Sequence, residues 1–168
     1  MHIETASLED APAIYDLQQK AYQTEAAIYD DYRIPPLLET LEQLQERFHC
    51  RRFLKAIEDG RIVGSVRIFV KDATCHVERL IVYSEYRRRG IGTALLRRIE
   101  AEYPTIERFE LFTGDKSVDN LRLYERIGYR PFRREPVHEK LTMIFLEKIL
   151  ANRQQSDGLP QTNSTQSH

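Results

Sequence analysis

At 168 residues and 41% hydrophobic content, the chain has the length and composition for one well-packed core. Its formal net charge of -1 argues against a protein built mainly to coat nucleic acid, and no run approaches the ~18 apolar residues of a membrane span. Two cysteines, Cys50 and Cys75, give no disulfide framework, and no apolar N-terminal segment suggests secretion, so a reducing cytoplasm is the expected location.

His2 to Ala6 is a short edge-strand candidate. Ser7-Leu8-Glu9-Asp10 then reads as a capping box, with Pro12 tolerated in the first turn and Ile14, Leu17 and Ala21 as the buried stripe of a first helix. Leu37, Leu41, Leu44 and Phe48 continue a helical period, predicting a second helix that starts at Pro35-Pro36 and ends near His49. The connection from Tyr22 to Pro35 is too long for a plain turn and holds Tyr22, Tyr29 and Tyr32 with Glu25, Asp30 and Asp31. Arg52 to Glu58 and Ile62 to Lys71 flank Asp59-Gly60, a strong hairpin signal, and Asp72-Ala73-Thr74 turns into a strand from Cys75 to Tyr83. Ile91, Leu95 and Ile99 mark a third helix, stopped before Pro104, and Ile106 to Thr113 is a further strand. A fourth helix is expected to be capped by Ser117, with Val118, Leu121 and Ile127 as its core side and Gly128 as a left-handed stop. Tyr129 to Arg133 and Leu141 to Ile149 read as a final strand pair. Residues 1–150 are therefore expected to form a single domain, and the Gln-, Ser-, Asn- and Thr-rich residues 151–168 a flexible tail.

Chemistry concentrates between the strand ending Leu80-Ile81-Val82 and the third helix. There Arg87-Arg88-Arg89-Gly90-Ile91-Gly92-Thr93 joins a glycine-bearing turn to a helix start, whose unpaired N–H groups and partial positive charge suit phosphate. Gly90 and Gly92 have no Cβ to hold a ligand's oxygens away, and the three arginines offer charged forks. A dinucleotide fingerprint would need a glycine where Leu95 stands, and a P-loop would need four residues between its glycines followed by Lys-Ser/Thr.

What remains, Arg87-x-x-Gly90-x-Gly92, resembles the acetyl-CoA pyrophosphate loop of the GNAT N-acetyltransferases. Asn120-Leu-Arg-Leu-Tyr124-Glu-Arg-Ile-Gly128-Tyr129 is similar to that family's Asn-x-x-x-Tyr-x-x-x-Gly-Phe/Tyr helix, in the same order and at about the same separation. The resemblance covers roughly residues 2 to 149. It implies an α+β fold: a mixed, mostly antiparallel central sheet of about seven strands, with helices on both faces, that splays open beside the cradle. It also implies acetyl-CoA as acyl donor and no metal. Leu80, Ile81 and Val82 would bind the pantetheine arm through their main chain, as an added strand would bind. Residues 87–93 would hold the phosphates, and Asn120 and Tyr124 would face the arm.

N-acetyl transfer sets three demands. A protonated amine must lose a proton, the developing oxyanion needs a donor such as a backbone N–H near Ile81 or Val82, and the departing thiolate benefits from an acid. Tyr124 is the candidate acid, the alternative being an ordinary core tyrosine. For the base, His76, Glu78 and Leu80 share a strand face by alternation. Glu78 stands nearer the presumed reaction point, and a bulge would change the facing. The alternatives are His76, a water chain, or a Glu78 that merely pairs with Arg79 or a neighbouring strand.

The acceptor is expected to be a primary amine, on a small molecule or a protein, attacking directly in a ternary complex. Glu25, Asp30, Asp31 and the nearby tyrosines would attract it, or would form only a solvated acidic loop. A non-catalytic acyl-CoA sensor of the same fold is the alternative function. Zinc at His49-Cys50 and Cys75-His76 and a nucleic-acid patch at Arg87–Arg89 with Arg97 and Arg98 are both poorly supported by spacing and charge. Homodimerisation through the final strands is a further expectation.

Overall fold

Two mirror-type turns organise the middle of the chain. Asp59 and Gly60 (φ 52° and 75°) and Asp72 and Ala73 (φ 52° and 60°) take left-handed conformations whose twist matches flanking antiparallel strands. The computed structural model describes residues 1–150; the tail expected from Ala151 lies outside the described residues. Its strands are β1 (His2–Thr5), β2 (Arg52–Glu58), β3 (Arg61–Lys71), β4 (Thr74–Val82), β5 (Arg108–Gly114), β6 (Arg130–His138) and β7 (Leu141–Ile149). They form one sheet in the order β1-β2-β3-β4-β5-β7-β6. Every neighbouring pair is antiparallel except β4 and β5, which run parallel. This is the mixed, mostly antiparallel sheet expected from the sequence.

The helices are α1 (Ala11–Tyr29), α2 (Pro35–Leu38), α3 (Leu41–Arg47), α4 (Ile91–Glu102) and α5 (Val118–Ile127). Helices α1 to α3 lie on one face of the sheet. Helices α4 and α5 lie on the other, where Leu95, Leu96, Ile99, Tyr124 and Ile127 join the core with Val66, Ile68, Val77 and Leu111. Along its whole length β6 is an exposed edge, with Pro131 and Pro136 each beside a register shift against β7.

Four local expectations are corrected. Tyr22 to Tyr29 is not a connection but the second half of α1, because an Ala-rich stretch without Gly or Pro keeps the helical period and buries Ala26 and Tyr29. The helix then ends at left-handed Asp30 (φ 48°). The Ser7 to Asp10 box closes a single 3-10 turn ahead of α1, with the Ser7 N–H donating to Asp10 Oδ2 at 2.9 Å.

The helix expected from Pro35 to His49 is two short ones. Glu39 leaves the helical conformation, and Thr40 begins a new capping box with Gln43, its N–H donating to Gln43 Oε1 at 3.0 Å and its hydroxyl accepting from the Gln43 N–H at 3.1 Å. The apolar period runs through the break unchanged, which hides it. On α5, Val118 is exposed, and the Ser117 hydroxyl donates to the Glu25 carboxylate instead of capping the helix.

The Glu39 break has a physical cause on the sheet. Arg67, 3% exposed on β3, donates through Nη1 and Nη2 to both Glu39 oxygens at 3.0 to 3.3 Å. The Gln18 amide of α1 donates to Glu39 Oε1 at 3.1 Å and to the Pro36 carbonyl at 2.9 Å. Burial alone would push the Glu39 carboxyl up, but the Arg67 and Gln18 hydrogen bonds and the Arg67 charge outweigh it and hold it below the ordinary carboxylate range.

A pair this dry is fragile to the loss of one member. Arg67→Met should cost about 3–5 kcal/mol in urea unfolding, because buried Glu39 is left with only the Gln18 amide and the more distant Arg47 guanidinium at 3.9 Å, whereas Arg67→Met with Glu39→Leu should recover most of the loss. The depressed Glu39 carboxyl contributes stability that is present above the unfolded glutamate value of about 4.3 and is lost as pH falls through the folded value. In Glu39→Leu that part of the acid slope should disappear.

Candidate active site

The sheet opens because β4 and β5 pair over only three positions, Thr74 with Arg108, Cys75 with Phe109 and His76 with Glu110. Beyond them β4 stays with β3 and β5 stays with β7. From Val77 to Val82, therefore, the edge of β4 that faces β5 has no strand partner among the described residues. Its main-chain groups need other acceptors and donors.

Within this free stretch β4 bulges. Glu78 pairs with Arg67 and Ile81 with Ser65, so Arg79 and Leu80 together stand opposite Val66, and Arg79 takes φ 52°. The bulge corrects the expectation that Glu78 and Leu80 share a face. Glu78 points to the α1 side with Arg67, while Leu80 lies against the start of α4, where a Cβ placed on Gly92 would stand 3.8 Å from its Cδ2.

At the end of β4 the turn runs through Arg88 (φ 62°) and Gly90 (φ 81°) into α4. The first bond of that helix is from the Ala94 N–H to the Gly90 carbonyl, so the amides of Ile91, Gly92 and Thr93 precede it and have no acceptor within the helix. Ile91 is buried, Gly92 and Thr93 are half-buried, and Arg87, Arg88, Arg89 and Gly90 are exposed around this helix start. A Cβ on Gly92 would come within 3.2 Å of Leu123 on α5, so the main chain approaches its neighbours where a side chain would intrude.

Helix α1 spans the opening like a beam. Gln18, Tyr22, Glu25 and Tyr29, spaced four, three and four, form one stripe along it. Gln18 reaches Glu39 beside β3, and Arg79 of β4 stands 5.9 Å from the Tyr22 ring. On the β5 side Glu25 accepts from the Ser117 hydroxyl, and the Tyr29 hydroxyl accepts from the Lys116 N–H at 2.8 Å. Below the beam, Tyr124 is 4% exposed. Burial pushes its phenol far above the ordinary tyrosine range, and Tyr22 and Glu25, which face it, push the same way. Asn120, one turn earlier on α5, donates its amide to the Thr113 hydroxyl at 3.3 Å. Of the other acidic residues expected here, Asp30 is the exposed residue that ends α1, and Asp31 lies 3.5 Å from His138.

Glu78 does sit beside the opening, but Arg51 Nε (3.1 Å) and Arg67 Nε (3.3 Å) each occupy one of its oxygens. Its partners are thus these two guanidiniums, and Arg79 is not among them. His76 stacks on Phe69 with ring centroids 4.6 Å apart and lies 3.4 Å from Glu110. A cavity of about 90 Å³ lies between His76, Glu78, Glu110 and Phe112 at the apex of the opening. Cys75 is buried on the α4 side, where burial pushes its thiol up to about 12, too high to supply thiolate near neutrality. Cys50 is exposed in the turn before β2, and among the described residues no three His, Cys, Asp or Glu side chains are grouped to hold a metal.

The chain matches the Acetyltransferase (GNAT) family model over residues 11–129. An uncharacterised N-acetyltransferase of Methanocaldococcus jannaschii is 29% identical over 133 residues, covering 77% of this chain and 78% of that protein. Among solved structures, the PaiA N-acetyltransferase from Thermoplasma acidophilum, in complex with coenzyme A, superposes with a TM-score of 0.74 at 21% identity. It covers 89% of this chain and 99% of that one. A GNAT family acetyltransferase from Elizabethkingia anophelis with acetyl-CoA bound gives 0.67 at 19% identity over 89% of this chain and 97% of that one. At these identities the structural likeness is one of fold.

The seating of the α1 beam on β5 can be checked directly. A Cβ at Gly114 would collide with the Tyr29 hydroxyl, so Gly114→Ala should destabilise the protein by about 1–3 kcal/mol in urea unfolding. Tyr29→Phe, which removes the hydroxyl that accepts from the Lys116 N–H and meets the Ser117 side chain, should cost about 1 kcal/mol.

Proposed function

The chain belongs to the Acetyltransferase (GNAT) family, and from that premise we propose that it transfers an acetyl group from acetyl-CoA to a primary amine by direct attack in a ternary complex. The observation that carries this reading is the unpaired edge of β4 running into the open start of α4. A donor with an extended amide-bearing arm and a pyrophosphate needs those two features end to end. The residues present fit it: the Ile91, Gly92 and Thr93 amides with Arg87, Arg88 and Arg89 suit pyrophosphate oxygens. The main chain of Leu80, Ile81 and Val82 suits the arm. When bound, acetyl-CoA supplies a thioester carbon open to attack by an amine.

The protein's own groups then have distinct tasks. A backbone N–H at Ile81 or Val82 is the donor for the developing oxyanion. Tyr124 Oη, a phenol that stays protonated at neutral pH, gives its proton to the departing thiolate. Asn120, anchored on Thr113, lines the same wall. Because both Glu78 oxygens already accept from arginines, the amine's proton leaves more readily through water than directly to Glu78. The buried Cys75 thiol supports direct transfer over a covalent acetyl carrier.

Acetyl-CoA at a hundredfold its dissociation constant should stabilise the fold by about 2.7 kcal/mol, a shift of a few degrees in thermal unfolding. In Gly92→Glu, whose side chain would run into Leu123 and the helix start, the shift should vanish.

Release of thiol on adding an amine separates an enzyme from a non-catalytic acyl-CoA sensor, and Tyr124→Phe should lower kcat by about 100-fold or more. Since the Tyr124 phenol is held above its usual value, the alkaline limb that reports loss of this acid should lie above the ordinary tyrosine value near ~10. A Tyr124→Phe variant that keeps wild-type kcat and the same alkaline limb would exclude Tyr124 as the acid.

A further inference from the structure

The charges around the opening divide into paired and unpaired. Glu39 is held by Arg67, Glu78 by Arg51 and Arg67, and Glu110 by Arg108. Two half-buried groups differ: neither Glu25 nor Arg79 has an opposite charge within ion-pair distance among the described residues. Arg79 does feel the Glu39 carboxylate, but that carboxylate is committed on both oxygens to Arg67. Removing a charge from water without a partner is unfavourable, so each half-buried ion is poised for an external one.

Their placement is specific. Tyr22 separates them: Glu25 follows it by one turn on α1, and the Arg79 guanidinium stands 5.9 Å from its ring. The Ser117 hydroxyl orients Glu25, and Tyr124 faces both Tyr22 and Glu25, so the anionic end lies on the side of the acid. Arg79 opens on a cleft of about 570 Å³ lined also by Pro35, Leu38, Glu39, Gln43, Glu46 and Arg47. Its left-handed backbone (φ 52°) is one that a long side chain adopts only where the surrounding fold imposes it.

We propose that the acceptor is an α-amino acid or a close analogue, with its ammonium on Glu25 beside Tyr124 and its carboxylate on Arg79; this rests on the acetyltransferase reading above. A simple alkylamine would satisfy Glu25 and leave Arg79 unmet. A zwitterion neutralises both, and the planar guanidinium fork matches a carboxylate in two hydrogen bonds. The ammonium end is the one that must lose a proton and attack, and it is the end next to the acid.

The test is thiol release at saturating acetyl-CoA with a panel of amino acids, each beside its amide and its decarboxylated amine. For the best acceptor, kcat/KM for the acid should exceed that for the amide and the amine by roughly 10- to 100-fold, the range for a charged hydrogen bond made or lost. This should hold although the amide's amine is the less basic and therefore the more available. Arg79→Asn, chosen because asparagine tolerates a left-handed backbone, should erase that ratio, and Arg79→Lys should keep part of it. Glu25→Gln should raise the acceptor KM without changing the thermal shift with acetyl-CoA.

An amide or amine that matches the acid, a ratio that survives in Arg79→Asn, or a wild type that binds acetyl-CoA yet turns over none of the panel would each overturn the proposal. Absence of any thermal shift with acetyl-CoA in the folded wild type would instead overturn the acetyltransferase reading itself.

Discussion

The structure turns on the parting of β4 from β5 after three residue pairs. A parallel pair interrupted in mid-sheet leaves a row of main-chain donors and acceptors unsatisfied, a condition that natural folds seldom tolerate away from a ligand or solvent. The other features of the site follow from managing this gap. The bulge at Arg79 and Leu80 sends Leu80 toward α4 while Glu78 stays on the α1 side with Arg67. The end of β4 delivers the chain into a helix whose first amides are also free, so the open edge and the open helix start form one continuous polar track.

Something must hold the two halves of a split sheet in register, and that is α1. Its polar stripe fastens one half through Gln18 and the Glu39–Arg67 pair, and the other through Glu25 to Ser117 and Tyr29 to Lys116. These contacts differ in kind from the apolar packing of Ile14, Leu17 and Ala21 elsewhere on the helix. Hydrogen bonds and ion pairs are directional, so they fix where the helix crosses the gap, whereas apolar contact would permit it to slide. A buried ion pair adds little net stability over a hydrophobic substitute, and its contribution here is better understood as positional.

Much of this was legible in the sequence. The strand order of the meander followed from Asp59-Gly60 and Asp72-Ala73, and the turn from β4 into α4 from two glycines between a strand and a helical period, because those signals are local and each depends on a backbone angle or a missing side chain. What stayed hidden was non-local. The break at Glu39 is driven by Arg67 across the interface, while the leucine period on either side continues as though the helix were whole. The bulge's one trace is Glu78-Arg79, two polar residues in a row that interrupt the alternation of Cys75 to Glu78, a signal easily passed over beside the apolar run of Leu80 to Val82. The second half of α1 is masked by its tyrosines and carboxylates, which look like a polar connection. The four-three-four spacing of Gln18, Tyr22, Glu25 and Tyr29 was the available signal, a helical period written in polar residues.

The far edge of the sheet is handled in the opposite way from the gap at its centre. β6 is exposed throughout, and a bare strand edge ordinarily invites a second chain to extend the sheet, the first step toward insoluble aggregates. A proline that fits into a ladder must turn its donor-less nitrogen outward, so Pro131 and Pro136 remove two of the hydrogen bonds an incoming strand would seek. The register shift beside each proline twists the remaining groups out of a flat row. Two edges of one sheet thus carry opposite instructions: the inner one is left able to accept an added strand, and the outer one is made sterile to it, which keeps a crowded, newly made chain from polymerising through the same chemistry that its interior exploits.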